Sequence, residues 1–262
     1  MLLAANINNK FIEFGIFDDE KLIGNFKIKT DINRSIDELS FLIKNLIMER
    51  NIKLQDIDDV IGSNVVPELT IFFEKLIKNL FNKNVIFVGT GIKTGLDIKC
   101  ENPKEVGSDR ITMAVAALSS TKSPLLIVNM SHVTTIDMIN KDNKFIGGLI
   151  FPGIDLCQEV LKKESAKLPN VEIVAQEKII GNSTRSAMIS GLYRSYINAC
   201  KGIISDIKNS NDLNNDKINI VLTGDFSELL DDVENSNIHR DKFLIFEGLK
   251  IIYNLNKNNK NK

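Results

Sequence analysis

Charged and small residues in the stretch ENPKEVGSDRI (101–111) could act together on a small polar substrate. The carboxylate of Asp109 could orient a hydroxyl group and accept its proton. Arg110 could bind a carboxylate or a phosphate through two parallel hydrogen bonds, and Gly107 would let the backbone approach a ligand closely. The same residues also fit an ordinary helix start, with Ser108 as the N-cap and Asp109 in the first turn, where the helix dipole favours an acid. Taken alone, the local sequence favours this second interpretation.

A second group of polar residues lies in IVNMSHVTTID (127–137). The apolar run 125–128 predicts a strand, a short turn follows, and a second strand begins near Thr134. The turn carries an amide at Asn129, a hydroxyl at Ser131 and an imidazole at His132, so this hairpin could hold a ligand. For His132 we favour a neutral turn histidine over a metal ligand or phosphate donor, because no second His or Cys lies nearby.

An internal repeat sets the elements that must position these residues. Residues 2–24 align without a gap over residues 125–147, at an offset of 123, and matching pairs include Asn6 with Asn129 and Gly24 with Gly147. A shared strand–turn–strand pattern at fixed register predicts two α/β domains of similar topology. We expect each domain to open with antiparallel hairpins, and the two first turns to face each other across a ligand-binding cleft.

The remaining pattern fits two α/β halves. Ser35 and Glu38 form a capping box that opens an amphipathic helix, and its predicted apolar face is Leu39, Leu42, Ile43, Leu46 and Ile47. Strands are predicted at 60–66, 84–89 and 218–224, and helices at 68–81, 109–118 and 183–207. The predicted domains are residues 1–120 and 121–253, with the polar segment 254–262 as a disordered tail.

Composition excludes several classes of protein. The chain has 262 residues, 43% of them hydrophobic, which is sufficient for two cores, and a net charge of −1. Such a charge gives no electrostatic reason to bind nucleic acid or anionic lipid. No apolar run approaches the length of a membrane span, and the N-terminus lacks the features of a signal peptide. The three widely spaced cysteines read as small apolar residues of a reducing cytoplasm, and His239 reads as a surface residue.

The motifs together resemble those of one enzyme family. ENPKEVGSDRI is close to the pattern D/E-N-P-x-E-V-G-A-D-R-I of the type III pantothenate kinases. NVVP before it and GGLIFPG, SAKLP and GNSTRSAMISG after it also appear in the family's order. The resemblance covers nearly the whole chain. It implies two RNase H-like (actin-like ATPase) domains of the acetate and sugar kinase/Hsp70/actin superfamily. It also implies ATP-dependent phosphorylation of pantothenate in coenzyme A biosynthesis, with Mg²⁺, a monovalent cation (K⁺ or NH₄⁺) and a dimeric, cytoplasmic protein.

The same resemblance suggests roles for individual residues. Asp109 would be the catalytic base, while Gly107 and Arg110 would bind pantothenate through its carboxylate. Thr184 would reach the pantothenate pocket of a neighbouring subunit, and Asp137 would serve the metal. The positions that correspond to the family's ATP- and phosphate-binding turns are Asn6, Asn9, Lys10, Asn129, Ser131, Thr134 and Thr135.

Both phosphate turns depart from the family pattern. The first, D-x-G-N-T in the family, here has Asn6, Asn8, Asn9 and Lys10; the second, D-x-G-T-A-T-T-x-D, has Asn129 and Ser131 in place of its first aspartate and its glycine. Asparagine removes negative charge that Mg²⁺ prefers, and the lost glycines had allowed positive φ, which Asn8 could still adopt. Asp225 follows Thr223-Gly224 where the family has a second glycine, and Cys100 replaces a pocket tyrosine.

The loss is therefore concentrated on the phosphate side. We expect a protein that is impaired alone and acts as a non-catalytic or site-completing subunit with a conventional type III pantothenate kinase chain. Residues 187–189 and Leu192, beside Thr184, would be available to pack on that partner. Two alternatives remain open: a divergent but active pantothenate kinase, and a regulatory module that senses a metabolite of the coenzyme A pathway.

Overall fold

Two β-sheets organise the chain, each with its own helices and core. The computed structural model describes residues 1–165, 167–175, 178–210, 217–231, 233 and 237–257. Within that range the first unit comprises Met1–Asp97, Glu101–Ser119 and the chain from Leu244 onward, and the second comprises Ile98–Cys100 and Ser120–Phe243.

The first unit is a five-stranded mixed sheet with helices. Its elements are β1 (Leu2–Ile7), β2 (Phe11–Asp18), β3 (Lys21–Lys29), α1 (Ile36–Met48), β4 (Asp59–Asn64), α2 (Thr70–Phe81), β5 (Val85–Phe87), α3 (Ser108–Ser120) and α6 (Leu244–Lys257). The strand order is β3-β2-β1-β4-β5. Strands β1 to β3 are antiparallel, whereas β4 runs parallel to β1 and β5 parallel to β4. The helical crossovers that the sequence predicts between the parallel strands are α1 and α2.

Helix α1 shows how the local signals work. The Ser35 hydroxyl accepts a hydrogen bond from the Glu38 backbone N–H, and the Glu38 carboxylate accepts one from the Ser35 N–H, which confirms the capping box. Of the predicted apolar face, Leu39, Ile43 and Ile47 are buried in the core. The prediction was wrong for Leu42, which is exposed because the buried stripe is one residue per turn wide at this position.

The second unit repeats this topology. Its elements are β6 (Asp97–Ile98), β7 (Leu125–Met130), β8 (Val133–Ile139), β9 (Lys144–Pro152), α4 (Ile154–Glu164), α5 (Thr184–Lys208), β10 (Asn219–Thr223) and β11 (Asn237–Arg240). The order β11-β10-β7-β8-β9-β6 contains the five-strand order of the first sheet, with β7, β8 and β9 in the places of β1, β2 and β3. The directions also match, since β7 pairs antiparallel with β8 and parallel with β10. The predicted duplication of topology is confirmed, whereas the predicted cleft stays a prediction.

The gapless alignment of the repeat hides one structural shift. Strands β7 and β9 keep the offset of 123 from β1 and β3, but β8 is displaced by one residue, because Asn6 pairs with Glu13 whereas Asn129 pairs with Thr135. The first turn (residues 8–10) is therefore one residue longer than the second turn (residues 131–132). A longer second connection restores the register, and both third strands carry a bulge at equivalent residues, Ile23 and Ile146.

The ends of the domains differ from the predicted boundaries. The chain leaves the first unit after Ser119, one residue before the predicted boundary. Helix α6 then returns to the first unit, although residues 121–253 were expected to form the C-terminal domain. Its apolar residues explain the return, because Phe246 packs into the space that Gly15 leaves on β2. Residues 254–257 of the expected tail belong to α6, and residues 258–262 lie outside the described part. Among the described helices, none combines the length and apolarity of a membrane span.

Candidate functional site

A polar row crosses the first sheet at the end of β1. Lys27, Glu13, Asn6 and Ser63 occupy directly paired positions on β3, β2, β1 and β4. Paired positions project to the same face of a sheet, so these side chains line one stripe. Asn6 and Ser63 are buried, which means that their polar atoms need partners from the protein or from a ligand.

Glu13 determines how Asn6 is oriented. The Nδ2 of Asn6 donates to Oε2 of Glu13 at 2.8 Å, and the Nδ2 of Asn8 donates to the same oxygen at 3.2 Å. A carboxylate only accepts, so it fixes the nitrogen side of the Asn6 amide toward Glu13. The opposite atom, Asn6 Oδ1, is buried and has no hydrogen-bond partner in the described part of the chain. This oxygen is positioned to accept a hydrogen bond from water or a ligand, or to coordinate a cation.

The first turn is closed by a side chain. The Oδ1 of Asn8 accepts hydrogen bonds from the backbone N–H groups of Lys10 and Phe11, at 3.0 and 2.8 Å, and the Thr30 hydroxyl donates to the Asn8 carbonyl. The sequence suggested that Asn8 could replace a glycine through positive φ, but Asn8 is not among the residues with positive φ. Asn8 instead closes the turn as an Asx turn, in which its side-chain oxygen takes the place of a backbone carbonyl acceptor. Asn9 is exposed at the tip of the turn.

The polar row ends at the helix that carries Asp109. The hydroxyls of Ser63 and Ser108 lie 2.9 Å apart, and the Ser108 hydroxyl also accepts from the Asn64 N–H at 3.1 Å. Ser108 was predicted to be the N-cap, but it is the first residue of α3 and its hydroxyl binds to β4. At its other side the Ser108 carbonyl accepts from Thr112 within α3. The start of α3 is consequently held at a fixed place at the end of β4.

Asp109 occupies a tight and poorly solvated position. Its Oδ1 accepts from the Arg110 backbone N–H at 2.8 Å, and a Cβ on Gly107 would lie only 2.5 Å from that same oxygen. Gly107 is therefore required to make room for the carboxylate. Burial raises the pKa of Asp109 above its usual range, while the hydrogen bond and the charge of Arg110 act in the opposite direction. A carboxylate of raised basicity beside a cation is suited to accept a proton from a hydroxyl group.

The second turn has a different arrangement. The Ser131 hydroxyl donates to Asn129 Oδ1 at 2.6 Å, so the amide oxygen that could face a ligand already has a partner. Gly224, at φ +93°, lies against this pair, and a Cβ there would be 2.6 Å from Ser131 Oγ and 2.7 Å from Asn129 Oδ1. The next residue, Asp225, is exposed. The second turn is thus closed by its own side chains.

The two adjacent threonines of the second hairpin project to opposite faces. Thr134 is fully buried, and its hydroxyl lies 2.7 Å from the Tyr196 hydroxyl of α5, where burial raises the pKa of Tyr196 above its usual range. Its expected place among phosphate-binding groups does not fit this position in the core, which follows from strand alternation. Thr135 lies on the other face, paired with Asn129, and its Oγ1 is buried without a hydrogen-bond partner in the described chain.

Asp137 shares the face of Thr135 and is fully buried. Its cross-strand neighbour is Gly148, and a Cβ there would clash with the Ile136 carbonyl oxygen and with Asp137 Oδ1. The second glycine of GGLIFPG therefore makes the space that the carboxylate occupies. The last glycine, Gly153, similarly lies against the backbone of the second turn.

Thr184 is the first residue of α5 and is exposed. Ser183 caps the helix, since its hydroxyl accepts from the Ser186 N–H at 3.1 Å, and Gly181 packs against the first helical turn. The expectation that the nearby apolar residues are available to a partner was wrong for Met188, Ile189 and Leu192, which are buried in the core of the second unit. The exposed apolar residues near Thr184 are instead Ile179 and Ile180, at 64% and 82% exposure.

Comparison with known proteins identifies the family. A family profile described as type III pantothenate kinase matches residues 2–206. The chain belongs to the type III pantothenate kinase family. A type III pantothenate kinase from a strain of Exiguobacterium is 36% identical over 256 residues, covering 98% of this chain and 99% of that protein. One from Citrifermentans bemidjiense is 37% identical over 257 residues, covering 98% and 100%.

Solved structures confirm the expected fold class. A putative Baf family transcriptional activator from Campylobacter jejuni is similar at TM-score 0.57 and 24% identity, with 98% and 99% of the two chains covered. A putative 2-dehydro-3-deoxygalactonokinase from Sinorhizobium meliloti matches at TM-score 0.60 and 8% identity, with 97% and 96% covered. MreB 5 of Spiroplasma citri matches at 0.53 and 10%, with 99% and 98% covered. The likeness shows that the two units have the predicted RNase H-like (actin-like) fold.

Several site residues escaped the sequence reasoning. Glu13 is a single charge in the apolar strand FIEFGIF, and Ser63 is a single hydroxyl in VIGSNVV. A lone polar residue in a buried strand is a usable signal, because such a group needs a partner. The sequence did not reveal that both residues pair with Asn6. The offset of 123 aligns Glu13 with Ile136, whereas Thr135 holds the equivalent position in the second hairpin.

Proposed function

We propose that this chain takes part in the ATP-dependent phosphorylation of pantothenate in cytoplasmic coenzyme A biosynthesis, as a site-completing subunit that is impaired alone. The observation that carries the proposal is the contrast between an intact acceptor side and a closed second turn. Asp109 retains its niche beside Gly107 and Arg110, whereas Asn129 is bonded to Ser131. The names of the relatives support the substrate and the reaction.

The acceptor side supplies the specific roles. Asp109 would orient the pantothenate hydroxyl and accept its proton as the phosphoryl group arrives. Arg110 would hold the pantothenate carboxylate, because its guanidinium can form two parallel bonds to it. Thr184, exposed at the start of α5, would complete the pantothenate pocket of a neighbouring subunit.

The divalent metal that the family implies fits the oxygen atoms present. Mg²⁺ prefers hard oxygen ligands and keeps several waters. Asp137 carries a fully buried carboxylate in the second unit, and Asn6 Oδ1 is a buried oxygen without a hydrogen-bond partner in the described first unit. Asp137 would hold the hydrated ion and would also serve a monovalent cation, while Asn6 Oδ1 would accept a hydrogen bond from a ligand bound to the first unit. When bound, the metal neutralises charge on the phosphates of ATP.

An active kinase is the second candidate, and Glu13 favours it. The negative charge missing at Asn6 is present one strand away, in hydrogen-bond contact with Asn6 and Asn8. Because the Glu13 carboxylate holds the Asn6 nitrogen, Asn6 Oδ1 could accept hydrogen bonds from water bound to a metal ion. The chain would then handle the metal through the first unit, although the second turn is closed.

A partner of the same family would bind beside Thr184. The exposed side chains of Ile179 and Ile180 are apolar surface that a second chain could cover, next to the residue expected to enter its pocket. The partner would be a conventional type III pantothenate kinase chain, whose own phosphate turns supply the missing charge. A homodimer would use the same surface.

The deciding experiment measures ADP formation by the purified chain with ATP, Mg²⁺ and pantothenate, alone and after co-expression with such a partner. We expect turnover by the chain alone to lie about 10³-fold below the roughly 1 s⁻¹ of an ordinary kinase, because groups that position the metal and phosphate are missing. The complex should be active and should lose affinity for pantothenate with Thr184→Ala. Asp206→Asn, at an exposed site on α5, is the control. Rapid turnover by the chain alone would favour the second candidate and exclude the first.

A further inference from the structure

A histidine and two carboxylates converge beside the second turn. One ligand atom each from His132, Asp155 and Glu159 can be chosen so that all three lie within 4.8 Å of one another. The tightest pair is His132 Nδ1 and Asp155 Oδ2, at 3.0 Å. Both of these side chains are largely covered, at 22% and 16% exposure, whereas Glu159 is exposed. The cluster lies wholly in the second unit.

The backbone holds these residues in place. Asp155 and Glu159 are four residues apart on α4, which puts both carboxylates on one face of the helix. The helix is attached to the second turn through Gly153, whose N–H donates to the His132 carbonyl at 2.9 Å. Gly153 lies so close to the carbonyls of Ser131 and His132 that no Cβ could be accommodated. The backbone segments that carry the imidazole and the carboxylates are therefore held against each other.

The closest pair of ligand atoms has a separation that two ligands of one metal ion can adopt. Two ligand atoms bound at about 2.1 Å to one ion, at roughly right angles, are about 3 Å apart. That is the separation of His132 Nδ1 and Asp155 Oδ2. A cation between these two atoms would replace their direct hydrogen bond, and Glu159, which has a carboxylate oxygen within 4.8 Å of a ligand atom of each residue, would supply a third ligand.

The donor set selects the kind of ion. An imidazole with two carboxylates suits borderline first-row divalent ions rather than soft ions that require thiolates. Cys157 lies on the same helix but is not among the residues whose ligand atoms converge here. Three protein ligands also leave coordination positions for water, as in an open site.

We propose that His132, Asp155 and Glu159 form a binding site for one divalent first-row ion, Zn²⁺ or Mn²⁺, separate from the Mg²⁺ that accompanies ATP. The inference is independent of the proposed function, because it requires neither turnover nor a partner. It also revises the expectation from sequence, which favoured a neutral turn histidine since no second His or Cys lies nearby. The other ligands are carboxylates that the fold brings together.

The test is metal binding to the full chain, measured by calorimetry with Zn²⁺ and Mn²⁺ alone and with Mg²⁺ for comparison. We expect one equivalent of Zn²⁺ or Mn²⁺. His132→Ala and Glu159→Gln should each weaken binding by about tenfold or more, since removal of outer partners alone costs that much in metal sites. Circular dichroism and thermal melting would show that both variants remain folded.

Matched controls come from the same chain. His239→Ala removes the only other histidine, which is exposed on β11, and Glu164→Gln removes an exposed carboxylate at the end of α4. Cys157→Ser removes the neighbouring thiol. All three should leave the affinity within about twofold of the unaltered chain. Absence of a saturable equivalent, or equal binding by His132→Ala and His239→Ala, would overturn the proposal.

Discussion

The two hairpin turns occupy equivalent places in a duplicated topology, yet their polar atoms are arranged in opposite ways. In the first unit, Asn6 donates to Glu13, and its amide oxygen remains buried without a hydrogen-bond partner in the described chain. In the second, Asn129 uses its amide oxygen to accept from Ser131. The same substitution, asparagine in place of the family's aspartate, thus leaves an available oxygen in one turn and a satisfied one in the other.

Neighbouring residues explain the difference. Strand pairing places Glu13 and Thr135 at the same position of the two hairpins, beside Asn6 and Asn129 respectively. A carboxylate attracts the amide nitrogen, whereas a threonine hydroxyl does not compel that orientation. The next pair of facing residues on the second and third strands also differs. In the first unit the glycine is on the second strand, where Gly15 pairs with Asn25; in the second unit it is on the third strand, where Gly148 pairs with Asp137. At these two positions each second strand therefore carries one acid, Glu13 in the first unit and Asp137 in the second, two residues apart in register.

The largest effect is expected at the acceptor side, which neither turn includes. Asp109→Asn should lower kcat/KM for pantothenate by about 10³-fold in the active preparation, whether complex or single chain, because a general base of this kind contributes 10²- to 10⁴-fold. Steady-state kinetics against Asp206→Asn measure the effect. If Asp109→Asn leaves the complex fully active, this chain contributes only Thr184 to its partner, and the contrast between the turns has no bearing on its own site.

Gly148→Ala tests whether Asp137 is closely packed against its cross-strand neighbour. The added methyl would clash with the Ile136 carbonyl and the Asp137 carboxylate, so the free energy of unfolding should fall by about 3 kcal/mol, as in overpacked cores. Urea denaturation measures the change. Gly191→Ala is the matched control on α5, where an added Cβ meets no atom within 4 Å, and it should stabilise by up to about 1 kcal/mol. Equal effects at both glycines would mean that Asp137 is not confined as described.

Restoring an aspartate separates the two turns directly. Asn6→Asp replaces a donor with a carboxylate that faces Glu13, and should destabilise the chain by about 1–3 kcal/mol at neutral pH. Asn129→Asp should change stability by less than about 0.5 kcal/mol, because Ser131 still donates to its oxygen.

The double variant Asn6→Asp/Glu13→Gln supplies the control for this pair, since the glutamine amide can donate to the new carboxylate. It should recover most of the stability that Asn6→Asp loses. Similar costs for Asn6→Asp and Asn129→Asp, with no recovery in the double variant, would remove the distinction between the turns.

Much of the fold was predictable because its signals are local. The capping box at Ser35 and the strand–turn–strand repeat depend on neighbouring residues, and both were confirmed. Failures arose where distant segments meet. Helix α6 returns to the first unit through packing of Phe246 on Gly15, and Met188 is buried by its own core, neither of which the local pattern reveals.

The candidate site divides in the same way. The stretch around Asp109 could be recognised as a unit because its contacts are between near neighbours. The role of Gly107 differs from the predicted one, since it makes room for the Asp109 carboxylate, whereas the sequence suggested close backbone approach to a ligand. Glu13 could not be assigned, because a turn shorter by one residue changes which side chain of the second strand adjoins the asparagine. A one-residue shift exchanges the two faces of a strand, so an alignment that tolerates it misassigns every side chain there.

The smallest expected effect concerns the pH dependence of stability at Asp109. Burial raises the pKa of this carboxyl above its ordinary value of 3.8, so the folded chain binds the proton more tightly than the unfolded chain does. The resulting penalty is absent below the unfolded pKa, grows as pH rises toward the folded pKa, and is constant above it.

Asp109→Asn removes the charge but keeps an oxygen that can accept from the Arg110 N–H. Its melting temperature should therefore exceed that of the unaltered chain at pH 7.5, and the difference should shrink as pH falls toward 4. Thermal melts of both proteins across this range, with Asp206→Asn as the exposed reference, measure it. The opposite result is a melting temperature of Asp109→Asn below that of the unaltered chain at pH 7.5, with the two values converging toward acid pH. It would show that Arg110, rather than burial, dominates the environment of Asp109, and that the carboxylate is too weak a base for the role assigned to it.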